Sequence, residues 1–137
     1  MMEEDFYSPR VNQDGTYETF TIDRTRGIDR VTLNRPESLN SMSRTMMLEL
    51  QHYFGALYNN HEVRVVILTG AGRGFCAGLD LKEDRSDEPG GPVAGMRTQR
   101  RVSEIMMRMR RAPQPIISLI NGPASGGGFG LALASDI

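Results

Sequence analysis

From Tyr17 the chain alternates, with Tyr17, Thr19, Thr21 and Asp23 on one side and Glu18, Phe20 and Ile22 on the other. That is the period of a half-buried strand. A second strand is predicted over 28–34 (IDRVTLN), and the short connection at residues 26–27 makes the pair a hairpin. Ser43 suits the N-cap of a helix running to about Asn60, whose Met46, Leu50, Phe54 and Leu57 recur on one face. Residues 63–69 (VRVVILT) are a β-branched apolar run bounded by glycine, the pattern of a strand buried on both faces. A second helix is predicted over 97–111, with Val102, Ile105, Met106 and Met109 on one face and Pro113 and Pro115 beyond its end. Residues 116–120 read as another buried strand, and 126–134 as a helix with a glycine-rich start. Residues 1–16 read as a flexible leader and 83–95, charged and rich in glycine and proline, as a mobile connection. The succession of elements is that of an α/β protein without a fixed-period repeat.

Composition narrows the function classes. The 137 residues carry 39% hydrophobic and 24% charged residues, a formal charge of −1 and a single cysteine, Cys76. One domain with a real core is expected over 17–137. The balance of charge argues against nucleic acid as the main partner, although a small anion needs only a local positive field. No run of apolar residues approaches transmembrane length, the acidic MMEEDFYSPR does not resemble a signal peptide, and a lone cysteine excludes an intrachain disulfide. A soluble cytoplasmic protein, with no membrane and no nucleic-acid partner, is the default expectation. The chain ends at Ile137 directly after a predicted helix, and a truncation is expected there.

Two glycine-rich loops carry the candidate chemistry. GRGFCAGLDLKE (72–83) follows a predicted strand, but Gly70, Gly72 and Gly74 lack dinucleotide spacing and no Gly-Lys-Ser/Thr follows. In INGPASGGGFGLALASD (120–136), Ser125 has Pro123 two positions before it, so the nucleophile elbow G-x-S-x-G is broken. The run Gly126-Gly127-Gly128 opens a helix, where first-turn amides have no intrahelical acceptor and suit an anion or a developing oxyanion. An ordinary strand-to-helix turn is the competing explanation of each loop.

FCAGLDLKE (75–83) and NGPASGGGFGLALASD (121–136) resemble the signature loops of the crotonase, or enoyl-CoA hydratase/isomerase, superfamily, and LNRPESLNSM (33–42) resembles its first CoA-contact loop. The resemblance covers 17–137 and implies the N-terminal part of a crotonase-like ββα spiral, assembled in the full-length parent as a trimer or hexamer. It implies an acyl-CoA substrate of fatty-acid or related metabolism, with coenzyme A as part of the thioester and no covalently bound cofactor. The thioester oxygen would lie between the backbone N–H groups of Leu79 and Gly127, each contributing about 3–4 kcal/mol to a developing oxyanion. Ala77, Asp80 and Leu81 would border adenine and pantetheine, Ser38 and Leu39 the other side of CoA, and Gly126 and Gly130 are further candidates for binding CoA.

One position departs from the family's pattern. Hydratases place a first glutamate three residues after the oxyanion glycine, where this chain has Gly130; the second would lie beyond Ile137. Members without the first glutamate include isomerases, dehalogenase-like enzymes and proteins of unknown substrate. Asp80 and Glu83 are expected to be solvated or capping, Asp136 to contact backbone near a strand entrance, and Cys76 to be a buried thiol rather than a nucleophile. His52 and His61 show no metal-ligand spacing. The arginines of the Met-rich helix (Arg97, Arg100, Arg101, Arg108, Arg110, Arg111) suit either a basic amphipathic face or attraction of CoA phosphates around an ordinary core stripe. Three functions compete: a hydratase, isomerase or related lyase; an acyl-CoA-binding module without turnover; and a structural fragment without ligand.

Overall fold

The computed structural model describes residues 11–137, so the first ten positions of the expected leader lie outside the described residues. Residues 12–16 close a turn in which the Asn12 N–H donates to the Thr16 carbonyl. Strands β1 (Phe20–Thr25) and β2 (Ile28–Leu33) form the expected antiparallel hairpin. Arg26 and Gly27 both take left-handed φ, as a two-residue type I′ turn requires. Helix α1 (Arg44–Ala56) then returns the chain to β3 (Val65–Gly70), parallel to β2. Helix α2 (Pro92–Arg111) leads to β4 (Ile116–Ser118), parallel to β3, and α3 (Gly127–Ala134) follows. The mixed sheet has the order β1-β2-β3-β4.

Val31, Leu33, Val66, Leu68 and Ile116 from the sheet meet Met46, Leu50 and Phe54 of α1 and Ile105 and Met109 of α2, all essentially without solvent contact. The expected α1 face is therefore the buried one. At the start of α1 the Ser43 hydroxyl accepts the Met46 N–H at 3.1 Å, and the Glu83 carboxylate accepts the Arg44 N–H. Two orphan donors of the first turn are thereby satisfied, and of the two roles expected for Glu83, solvated or capping, it takes the second. Asp136 meets its expectation too, accepting the Ile116 N–H at 2.8 Å where β4 begins.

Several expectations need correction. Helix α2 starts at Pro92, inside the stretch read as a connection, because proline is well suited to a first helical turn. Strand β3 is closed on one face only, with Val65 and Ile67 half-buried. Strand β4 stops at Ser118, leaving Leu119 and Ile120 exposed. Arg101 is fully buried and pairs with Glu88 at 3.0 Å, which removes it from any basic outer face. The same Glu88 carboxylate meets Arg44 at 2.8 Å, tying the 83–91 segment to both helices.

An aromatic cluster of Tyr17, Phe20, Tyr53 and Phe54 lies where β1 meets α1. Burial, with the Glu49 charge adding, pushes the Tyr17 phenol up to about 12. Burial and donation to the Asp29 carboxylate at 2.7 Å push Tyr53 further up. The unfolded chain releases these protons near pH 10, so above that pH the folded state holds more protons and stability falls as pH rises. The fold is expected to lose stability between about pH 10 and 12, and Tyr53→Phe to shrink that loss. Thermal melts at pH 8 and 11 check this; equal alkaline losses in both proteins would contradict it.

Candidate functional site

The two glycine-rich loops are laced together by backbone bonds. Cys76 pairs with Ala124 in a parallel bridge: its N–H donates to the Pro123 carbonyl at 3.2 Å, and its carbonyl accepts the Ser125 N–H at 3.1 Å. Ala77 donates its N–H to the Leu39 carbonyl at 3.0 Å, and its own carbonyl accepts the Ser125 hydroxyl at 3.1 Å. Leu79 pairs with Met42, so the Met42 N–H donates to the Gly78 carbonyl at 2.6 Å and the Asp80 N–H to the Met42 carbonyl at 3.0 Å. The three segments expected to surround CoA are thus joined through Leu39, Met42, Ala77 and Leu79.

The direction of the Leu79 N–H follows from these bonds. In a trans peptide the C=O and N–H point in opposite directions. The Gly78 carbonyl faces Met42, so the Leu79 N–H faces away from it. Among the described residues it meets no backbone acceptor, and neither does the N–H of Gly127 at the first position of α3. A Cβ built on Gly78 would lie 2.8 Å from the Ser125 carbonyl and 3.5 Å from the Gly127 nitrogen. No side chain separates the two loops there.

The other expected residues fall around this pair. Ser38 ends a short 3-10 turn and donates its hydroxyl to the Arg35 carbonyl, and Leu39 follows in a left-handed conformation. Leu81 is 88% exposed beside the loops. Asp80, expected to be solvated or capping, is nearly buried: it accepts the Lys82 N–H at 3.0 Å and lies 2.9 Å from Arg35 Nη2. Burial alone would push its carboxyl up, but hydrogen bonds from Arg35 and the Lys82 N–H outweigh that and hold it below the ordinary value. At Gly130 a Cβ would meet the Met106 methyl at 2.8 Å, so Met106 occupies the room that a side chain would need. Cys76 is buried, which pushes its thiol up and makes it a poor nucleophile.

Sequence reading missed the residues that shape the loops. Asn40, fully buried in a left-handed conformation, accepts the Arg35 N–H and donates to the Ala71 and Gly74 carbonyls. Asn121 accepts the Gly70 N–H and donates to the Gly72 and Gly74 carbonyls. Their available signal was residue type, since asparagine tolerates φ > 0 and can satisfy loop backbone. Beside Leu79 a cleft of about 370 Å³ runs between the 85–90 segment and α2, lined by Leu81, Pro89, Ala94, Thr98 and Gln99 among others. A roomier groove between α1 and α2, near His52 and Arg108, lies away from both loops. Among the described residues no cluster of His, Cys, Asp and Glu could hold a metal ion, and no helix is long and apolar enough to cross a membrane.

The enoyl-CoA hydratase/isomerase family model matches residues 23–137. Among curated relatives, a probable enoyl-CoA hydratase of Mycobacterium leprae is 44% identical over 111 residues, covering 78% of this chain and 38% of that protein. The 1,2-epoxyphenylacetyl-CoA isomerase of Escherichia coli is 42% identical over 114 residues, covering 82% of this chain and 43% of that protein. The solved enoyl-CoA hydratase of Mycobacterium smegmatis superposes with a TM-score of 0.79 at 36% identity, covering 88% of this chain and 46% of that one. The chain therefore spans less than half the length of each, and the crotonase-like α/β fold expected from the signature loops is borne out.

Proposed function

The chain belongs to the enoyl-CoA hydratase/isomerase family, and from that premise we propose that it binds an acyl-CoA thioester and polarises its carbonyl between the N–H groups of Leu79 and Gly127. The observation that supports the reading is that both amides lack a backbone acceptor among the described residues, one turned away from Met42 and the other at a helix N-terminus, with the Gly127 nitrogen 3.5 Å from a Cβ built on Gly78. As negative charge develops on the thioester oxygen, whether by attack or by proton removal beside it, fixed donors stabilise it without reorganising. The α3 dipole adds to the effect at Gly127.

In this reading Ala77, Asp80 and Leu81 border the adenine and pantetheine, Ser38 and Leu39 the opposite side, and Gly126 and Gly130 also contact CoA. The acyl chain extends from Leu79 into the cleft toward Ala94 and Thr98. Coenzyme A enters only as part of the substrate, and assembly of the whole protein as a trimer or hexamer belongs to the same proposal. Gly130, with the Met106 methyl filling its side-chain space, favours isomerase-type chemistry over hydration by two glutamates, because no acid or base stands at that position.

Two measurements test the reading. An acyl-CoA analogue carrying an anionic oxygen in place of the carbonyl is expected to bind at least about tenfold more tightly than the thioether analogue that lacks that oxygen. Equal affinities would remove the oxyanion hole from the proposal. The chain is also expected to hydrate crotonyl-CoA far more slowly than a typical enzymatic rate of about 10 per second; hydration at that rate would sink the isomerase-type assignment.

A further inference from the structure

Arg35 lies outside the residues assigned to the thioester, yet it grips a chain neighbour of each partner in the bridge between Met42 and Leu79 that aims the Leu79 N–H. Its Nη1 donates to the Ser41 carbonyl at 2.5 Å, one residue before Met42. Its Nη2 donates to Asp80 Oδ2 at 2.9 Å, one residue after Leu79. The guanidinium thus spans the two segments at the point where the Met42 N–H and carbonyl hold the Gly78 carbonyl and the Asp80 N–H. Arg35 is itself fixed, because its N–H donates to Asn40 Oδ1 and its carbonyl accepts the N–H groups of Ser38 and Asn40. A planar fork can hold two acceptors at a set separation, which a single ammonium cannot.

We propose that Arg35 is a positioning residue for the oxyanion hole, holding the Leu79 N–H in line with that of Gly127 through Asp80 and Ser41. The proposal rests on the assignment of that hole to Leu79 and Gly127. Its signature is a separation of two quantities. Arg35 is not among the positions assigned to CoA or the acyl group, so its loss is expected to leave ground-state binding almost intact. Polarisation of the carbonyl depends on donor placement to within a fraction of an ångström, so that property falls.

The experiment uses 4-(dimethylamino)cinnamoyl-CoA, whose absorption band moves to the red as its thioester carbonyl is polarised. Wild-type chain is expected to shift the band. Arg35→Met, with unchanged circular dichroism, is expected to bind the probe within about threefold of wild type and to lose more than about half of the shift. Arg35→Lys, which keeps the charge but not the fork, should fall between the two, and it carries the test if the methionine variant does not fold. Asp80→Asn, which keeps an acceptor but removes the charge, should lose part of the shift. A full red shift in Arg35→Met, or in Arg35→Lys where that variant carries the test, overturns the proposal and leaves the oxyanion hole standing. No red shift in the wild type overturns the hole and this proposal together.

Discussion

Gly127→Pro is expected to lower any thioester chemistry that uses this chain by about 10²–10³-fold while leaving the helix in place. Proline has no N–H, so one of the two donors disappears, and its fixed φ is compatible with the first position of a helix, where Gly127 stands. The added ring carbons do crowd their neighbours: a Cβ at Gly127 would lie 3.0 Å from Met42 Sδ and 3.4 Å from Val102 Cγ1. Gly127→Ala brings the same Cβ and keeps the donor, so the proline-to-alanine ratio isolates the N–H. The red shift of the cinnamoyl probe, or the turnover of a longer form where one is active, measures it. Equal values for the two variants would place the oxyanion donor elsewhere.

Gly128→Ala is expected to have a large effect on the fold. A Cβ there would fall on the Cys76 carbonyl oxygen and 2.8 Å from Cys76 Cβ. That carbonyl accepts the Ser125 N–H, so the methyl cannot be accommodated without separating the two loops. Overpacking against backbone, which cannot rotate away as a side chain can, costs about 3 kcal/mol or more. Gly90→Ala is the control: nothing lies within 4 Å of its Cβ, and a change within about 0.5 kcal/mol is expected. Urea midpoints at constant slope report both. If Gly128→Ala unfolds at the wild-type midpoint, the loops are not packed as described.

Much of the fold was legible as pattern. The Met46, Leu50, Phe54 and Leu57 stripe is buried along α1 and its continuation, and Ser43 caps it. Arg26 and Gly27 turn the hairpin where expected. The boundaries were less legible where a residue served two structures. Pro92 reads as a breaker in a charged stretch, yet it begins α2. Val102 and Met106 belong to the predicted stripe but pack only partly into the core, because they cover Gly127 and Gly130.

The candidate site divides in the same way. Spacing and residue type, read in one dimension, determined which segments open helices with free amides, which face of each helix is apolar, and that position 130 offers no acid. These properties are local, set by neighbours within a few residues along the chain. Only the tertiary structure decided that the Gly78–Leu79 peptide turns its N–H away from Met42, that Met106 fills the space beside Gly130, and that Arg35 reaches Asp80 across forty-five positions of sequence. The same holds for Arg101, whose place in a basic helix suggests solvent but whose partner Glu88 takes it into the interior. A charge, a carbonyl or a glycine acquires its role from the group that packing brings opposite it. That juxtaposition depends on how the sheet and helices close on one another, which no window along the sequence contains.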